Sequence, residues 1–246
     1  MKNYLETITI AFFLLFTEGG FAQARFKAAA FAGVNFSQID GDRQQGYRKV
    51  AASLGLNGSI YIRPDFDISV ELLYNQKGSK PNPDDKGKQN ITLNTFSLDY
   101  SEVALLLNYH YGPNNLKTYY TRFLFAGLSY GRLLKSSATI IRNNQPLTAF
   151  SANLSNNFKA QDYSFIVGWT QHFTPKIGMS FRYTKTFSFL YQNPDYRTSS
   201  TEIDFEYLKP YFISAHVFYN LVSPNKTMGL KSKKQKERNN PLEELY

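Results

Sequence analysis

The sequence predicts an all-β fold, a single eight-stranded antiparallel transmembrane β-barrel, and three observations carry that prediction. Apolar residues alternate with polar or small ones at a period of two through most of the chain; eight such segments follow one another; and the connections between them are alternately short and long. Composition agrees. The 21 Phe, 18 Tyr and single Trp make 16% of 246 residues aromatic, against 19% charged. That balance belongs to strands rather than to a disordered or charge-rich helical chain. The length allows one large domain or two small ones. With no cysteine, disulfide frameworks, thiolate metal sites and cysteine nucleophiles are excluded.

Residues 1–24 read as an export signal: Lys2 begins it, an apolar run spans Ile8 to Phe16, and small residues lead to Ala22 and Ala24. The apolar run is well short of the roughly 20 residues that a spanning helix needs. The barrel is expected over 25–221, and a basic tail over 222–246.

The eight segments follow in order. Phe26 to Ser37 sets Phe26, Ala28, Ala30, Ala32, Val34 and Phe36 against Lys27, Ala29, Phe31, Gly33, Asn35 and Ser37. Val50 to Ile62 sets Leu54, Leu56, Ile60 and Ile62 against Ser53, Gly55, Asn57 and Ser59. Ile68, Val70, Leu72 and Tyr74 oppose Ser69, Glu71, Leu73 and Asn75; Val103, Leu105, Leu107 and Tyr109 oppose Glu102, Ala104, Leu106 and Asn108. Tyr119 to Leu134 is less regular, because Phe123 and Phe125 share a face with Gly127, Ser129 and Gly131. Tyr163, Phe165, Val167 and Trp169 oppose Asp162, Ser164, Gly168 and Thr170; Met179, Phe181 and Tyr183 oppose Gly178, Ser180, Arg182 and Thr184. The last, Tyr207 to Leu221, sets Ile213, Val217 and Tyr219 against Phe212, Ser214 and His216. No helix signal stands out between Ala24 and Leu221.

Short turns are expected at 63–66, 112–116 and 174–176, and long loops at 38–46, 80–94, 136–157 and 193–206. An even strand count with short turns at one end and long loops at the other is the layout of outer-membrane barrels, with turns periplasmic and loops extracellular. A soluble lipocalin-like barrel is the rival, with the apolar face turned inward. The aromatic residues near segment ends (Tyr74, Tyr109, Tyr111, Tyr163, Trp169, Tyr183, Tyr191, Tyr211, Tyr219) favour interfacial girdles and hence the membrane barrel.

Phe31-Ala32-Gly33-Val34-Asn35-Phe36-Ser37-Gln38-Ile39-Asp40-Gly41-Asp42, then Gly46-Tyr47 and Val70-Glu71-Leu72-Leu73-Tyr74-Asn75-Gln76-Lys77-Gly78, resemble the PorT-like outer-membrane barrel proteins of the Bacteroidetes. The resemblance covers residues 25–80 most closely, and rests on strand pattern and length thereafter. It implies a small outer-membrane barrel, and a role as an accessory or assembly component of an envelope complex related to type IX secretion and gliding. The long basic tail departs from that pattern.

Side chains nearly fill an eight-stranded barrel, so the inward charges Lys27, Glu71, Lys77, Glu102, Asp162 and Arg182, with His216, are expected to form a mutually satisfied polar network. Glu71 and Arg182 fall at similar depth. An ion path along these charges is the sharper alternative. His110, His172 and His216, counted near the turn ends of segments four, six and eight, would have to converge to ligate zinc; intervening strands favour ordinary hydrogen bonds. Ser214 and His216, two residues apart on one face, are the single pairing that suggests acyl-transfer chemistry. No acid is singled out beside them, so neither enzyme nor cofactor is expected.

The formal charge is +9. Residues 1–24 hold Lys2 against Glu6 and Glu18, so cleavage would leave +10. Aromatics at strand periods face lipid rather than bases, which sets nucleic acid aside; lipopolysaccharide or anionic lipid headgroups suit the excess charge better. The tail carries Lys226, Lys231, Lys233, Lys234, Lys236 and Arg238 against Glu237, Glu243 and Glu244. It reads as a solvated segment, with Lys233, Lys234, Lys236, Arg238, Leu242 and Tyr246 as candidate contacts to a periplasmic protein partner.

Overall fold

A computed structural model describes residues 26–63, 65–85, 87–88, 91–113, 119–193 and 205–222. The export signal and the tail contacts from Lys233 to Tyr246 lie outside these residues. Eight long strands run in chain order: β1 (Phe26–Asp40), β2 (Lys49–Arg63), β3 (Phe66–Ser79), β4 (Thr92–Pro113), β5 (Tyr120–Arg142), β6 (Gln161–His172), β7 (Ile177–Thr186) and β8 (Tyr207–Val222). Each pairs antiparallel with its neighbour in sequence. β1 also pairs with β8, Val34 opposite Ala215 on one side and Ala52 on the other. The sheet therefore closes on itself, and closure is what lets strands cross lipid without unpaired backbone. Two-residue bridges at Gln145–Pro146 and Tyr191–Gln192 extend the sheet into the loops.

The period of two decides which way each face points. Leu54, Leu56, Ile60, Leu72, Leu105, Leu107, Leu128, Val217 and their alternating neighbours all project outward and are about half exposed, whereas the polar set is buried inside. A soluble barrel would have the reverse arrangement; so continuous an apolar wall needs lipid against it. Aromatic residues flank the wall at both ends. Toward the turns, Tyr109 stacks on Tyr111, whose hydroxyl accepts the Trp169 indole N–H at 2.8 Å. Toward the loops, Tyr130 packs on Tyr163.

Two sequence expectations are corrected. β4 and β5 run 22 and 23 residues, roughly twice the 9–11 that a spanning strand needs, so β4 takes in 92–94 of the loop read as 80–94 and β5 takes in 136–142 of the loop read as 136–157. On the outer face of β4 the apolar run ends at Val103, and Ser101, Asp99, Ser97 and Thr95 follow toward the loops, so this extension stands outside the lipid. There is also an α-helix, α1 (Thr148–Asn156), with no side-chain N-cap. Its Ser and Asn residues are weak helix formers, which is why no signal showed. Tertiary contacts hold it instead: Leu154 is buried, and Ser151 Oγ accepts the Ile140 N–H at 3.0 Å.

Candidate functional site

The inner wall sorts into tiers. Nearest the turns, Asp67 accepts hydrogen bonds from His110 Nε2 at 2.6 Å and from Asn108 Nδ2. Lys27 lies here with its ammonium 5.1 Å from the centre of the Phe123 ring and 5.8 Å from that of Phe218. Above it, Arg182 reaches across the lumen to Glu71, Nη1 to Oε2 at 2.7 Å, and its guanidinium lies between the rings of Phe31 and Phe125, 5.3 Å from each centre. Higher still, the Lys77 ammonium sits 2.5 Å from both Glu102 Oε1 and Asp162 Oδ2, over the face of Tyr100. Glu71–Arg182 and Lys77–Asp162 join strands that are not sheet neighbours, β3 to β7 and β3 to β6, so these two pairs act as cross-braces, whereas Glu102 and His110 lie on β4, which pairs directly with β3.

A chain of hydrogen bonds ties the upper tier to the middle. Asn75 Nδ2 donates to Glu102 Oε2 at 2.7 Å, and Asn75 Oδ1 accepts from Ser53 Oγ at 2.6 Å and from Asn35 Nδ2 at 3.2 Å. Ser214 Oγ donates to Asn35 Oδ1 at 2.7 Å. His216 Nε2 lies 2.8 Å from Ser53 Oγ. Because the Ser53 proton is directed to Asn75, His216 is the donor in that contact, the reverse of a base activating a serine. Ser214 and His216 thus each bond to another residue rather than to each other. All six sequence-derived lumen residues, Lys27, Glu71, Glu102, Asp162, Arg182 and His216, are placed on the inner wall and buried. Of the two cations among them, Arg182 meets Glu71, whereas Lys27 has the faces of Phe123 and Phe218 to supply the neighbouring negative potential.

The histidines do not converge. His110 and His172 flank the Phe123 ring, at 5.0 and 5.7 Å between ring centres. His216 lies deeper than the sequence count puts it, in register with Gly33 of β1 and Ser180 of β7 and edge-on to Phe31. Among the described residues no three His, Asp or Glu side chains are grouped to hold a metal.

Small residues make the lumen packable. A Cβ on Gly55 would stand 2.6 Å from Phe31 Cζ, on Gly168 2.3 Å from Phe125 Cζ, and on Gly178 2.4 Å from Phe218 Cζ. Each large ring therefore enters the lumen over a glycine of a neighbouring strand. This resolves the irregular fifth segment: Phe125 faces inward because Gly168 leaves it room. Among the inward side chains lies a cavity of about 40 Å³ bounded by Lys27, Asp67, Glu71, Asn108, Arg182 and His216, room for a few water molecules. Sequence reasoning identified Lys27, Glu71 and Arg182 but neither Asp67 nor the glycine–phenylalanine pairing, which depends on register between strands.

Above the Lys77 tier the chemistry changes. Ile39, Phe96, Leu98, Ile140, Leu154, Phe158, Leu190, Phe205 and Leu208 form an apolar cluster across the loop end of the barrel. α1 and the extended upper strands supply it, so the loop end is plugged by a small dry core. Beside it, the turn after β1 is held against β8, because a Cβ at Gly41 (φ +91°) would meet the Tyr207 carbonyl oxygen at 2.0 Å. That turn presents Asp42 inward. Burial raises the Asp42 carboxyl to about 6, despite the neighbouring Ser79 hydroxyl and the Gln44 N–H, which both favour the charged form.

A closed barrel with an apolar outer wall, aromatic girdles and a polar, ion-paired interior defines an integral outer-membrane β-barrel protein. The chain belongs to the outer membrane protein beta-barrel domain family, whose model matches residues 21–192. Similar solved structures include Ail, the attachment invasion locus protein of Yersinia pestis (11% identity, TM-score 0.42, 80% of this chain and 99% of that one). Neisserial surface protein A (11%, 0.38, 79% and 96%) and OprG from Pseudomonas aeruginosa (11%, 0.35, 83% and 99%) are also similar. No curated protein matches the chain.

Proposed function

We propose that this barrel is a sealed, non-enzymatic scaffold of the outer membrane, an accessory or assembly component of an envelope complex. The observation that carries the reading is the packed lumen: three tiers of charged side chains around a cavity of about 40 Å³, beneath an apolar plug. A conducting pore needs continuous water, and an acyl-transfer enzyme needs a serine with its base in reach; the side chains here are committed to one another. Work by such a barrel falls to its surfaces: the outer wall, the loops and the C-terminal tail. The PorT-like sequence pattern over 25–80 supports a role related to type IX secretion or gliding in a Bacteroidetes envelope, with lipopolysaccharide as the surrounding lipid. The tail residues Lys233, Lys234, Lys236, Arg238, Leu242 and Tyr246 are the proposed contact for a periplasmic partner.

The test is affinity capture from native membranes in mild detergent. An epitope inserted beside Gly87 suits it, because a side chain there meets nothing within 4 Å, whereas residues 136–157 build the plug. Recovery of a stoichiometric envelope or secretion component, lost on deletion of 224–246, is the expected result. A lone monomer from cells that express the full envelope machinery would overturn the reading.

A further inference from the structure

Two buried amide oxygens near the Gly41 turn, Gln38 Oε1 and Asn94 Oδ1, have no hydrogen-bond partner among the described residues, and beside them Asp42 Oδ2 has only the Ser79 hydroxyl to turn to. They come from β1, the turn after it, the end of β3 and the start of β4. All four residues are at most 1% exposed. Orphaned acceptors are costly one at a time, and two beside one buried carboxylate call for a common explanation.

The amide orientations are fixed by their nitrogen ends. Gln38 Nε2 faces three acceptors, Ile39 O, Asp42 Oδ1 and Gln44 O, at 3.2, 3.2 and 2.8 Å. Asn94 Nδ2 donates to the Asp42 carbonyl at 2.7 Å. Turning either amide over would set oxygen against oxygen, so the free atoms are acceptors. Among the described residues no ammonium or guanidinium forms an ion pair with Asp42, and the nearby charge acting on it is the like charge of Asp40. A buried carboxylate needs neutralising. A proton on Asp42 would answer at most one neighbouring acceptor. A hard cation, which takes six to eight oxygens at 2.3–2.6 Å, would answer both amide oxygens and the carboxylate together, with the Ser79 hydroxyl oxygen as a further ligand.

We propose that Gln38, Asp42, Ser79 and Asn94 bind a single oxygen-ligated divalent cation of the calcium class at the loop end of the barrel. Access is built in: Asn94 also lines a cavity of about 280 Å³ with Arg43, Gln44, Asp85, Ile91, Thr92 and Phe205, through which water can complete the coordination sphere. Calcium suits the donor set better than magnesium, which keeps several of its own waters and demands near-octahedral geometry. With one carboxylate, affinity should fall in the range of about 10⁻⁴ to 10⁻³ M, as in extracellular calcium modules. The ion would tie the first loop to the starts of the second, where the sheet opens above the membrane.

The test uses the full chain folded in detergent micelles. Tb³⁺ luminescence excited through tyrosine reports the site, since the Tyr207 ring lies against the Gly41 turn, and Ca²⁺ alone is then titrated as competitor. Saturable Tb³⁺ binding displaced by Ca²⁺, weakened at least about tenfold in Asp42→Asn and unchanged in Asp85→Asn, supports the site. Trp169 emission matching that of the natural chain shows that Asp42→Asn is folded, so that its loss of binding is not a loss of structure. Absence of saturable binding in the natural chain, or equal binding in folded Asp42→Asn, would overturn the proposal.

Discussion

The middle of the lumen and the plug above it are both buried, yet they are held together by opposite means. Around Lys77 and Arg182 the chain buries ammonium, guanidinium and carboxylate groups that reach across the barrel. Around Phe96 and Leu208 it buries mostly aliphatic and phenyl side chains. The difference follows from what encloses each region. In the membrane the outer face must be apolar, so the inner face is where a strand of alternating period puts its polar residues. Above the membrane the outer face meets water, and the interior reverts to the packing of a soluble protein. Damage in the lumen should therefore scale with charge left unpaired, and damage in the plug with volume removed.

Substitutions break or sharpen that contrast. Lys77→Met leaves Glu102 and Asp162 buried without their shared cation and should cost about 3–5 kcal/mol, read by urea unfolding in micelles with Trp169 fluorescence as the probe. The triple variant Lys77→Met, Glu102→Gln, Asp162→Asn should regain most of that loss, because no orphan charge remains. Phe96→Ala opens a cavity in the plug and should also cost about 3–5 kcal/mol, but with no second-site change of charge able to restore it. Gly168→Ala drives a methyl into the Phe125 ring and should cost about 1–3 kcal/mol, partly relieved by Phe125→Leu. Leu208→Met, a swap of equal volume in the plug, should cost less than about 1.5 kcal/mol.

Much of this architecture is written in local alternation. The inward placement of Lys27, Glu71, Glu102, Asp162, Arg182 and His216 follows from parity along each strand, because a one-residue error would put every one of them in lipid. The Glu71–Arg182 pair was legible as similar depth on two strands. Partner choice beyond that was not: Lys77 meets Asp162, 85 residues away, through barrel closure and strand stagger, which no local pattern records. α1 was invisible for a related reason, since Leu154 and Ser151 earn its place by contacts with β5. The four oxygens around Asp42 were equally hidden, because each sits in an unremarkable polar stretch and they meet only where three loop-end segments come together.

The sealed lumen is the central claim, and ion conductance of the purified full-length barrel in planar lipid bilayers tests it most directly. No steady conductance should appear in the natural protein across the applied voltage range. A stable ohmic current from the natural protein, altered by Arg182→Ala, would mean that water runs through the charged tiers and would contradict the account.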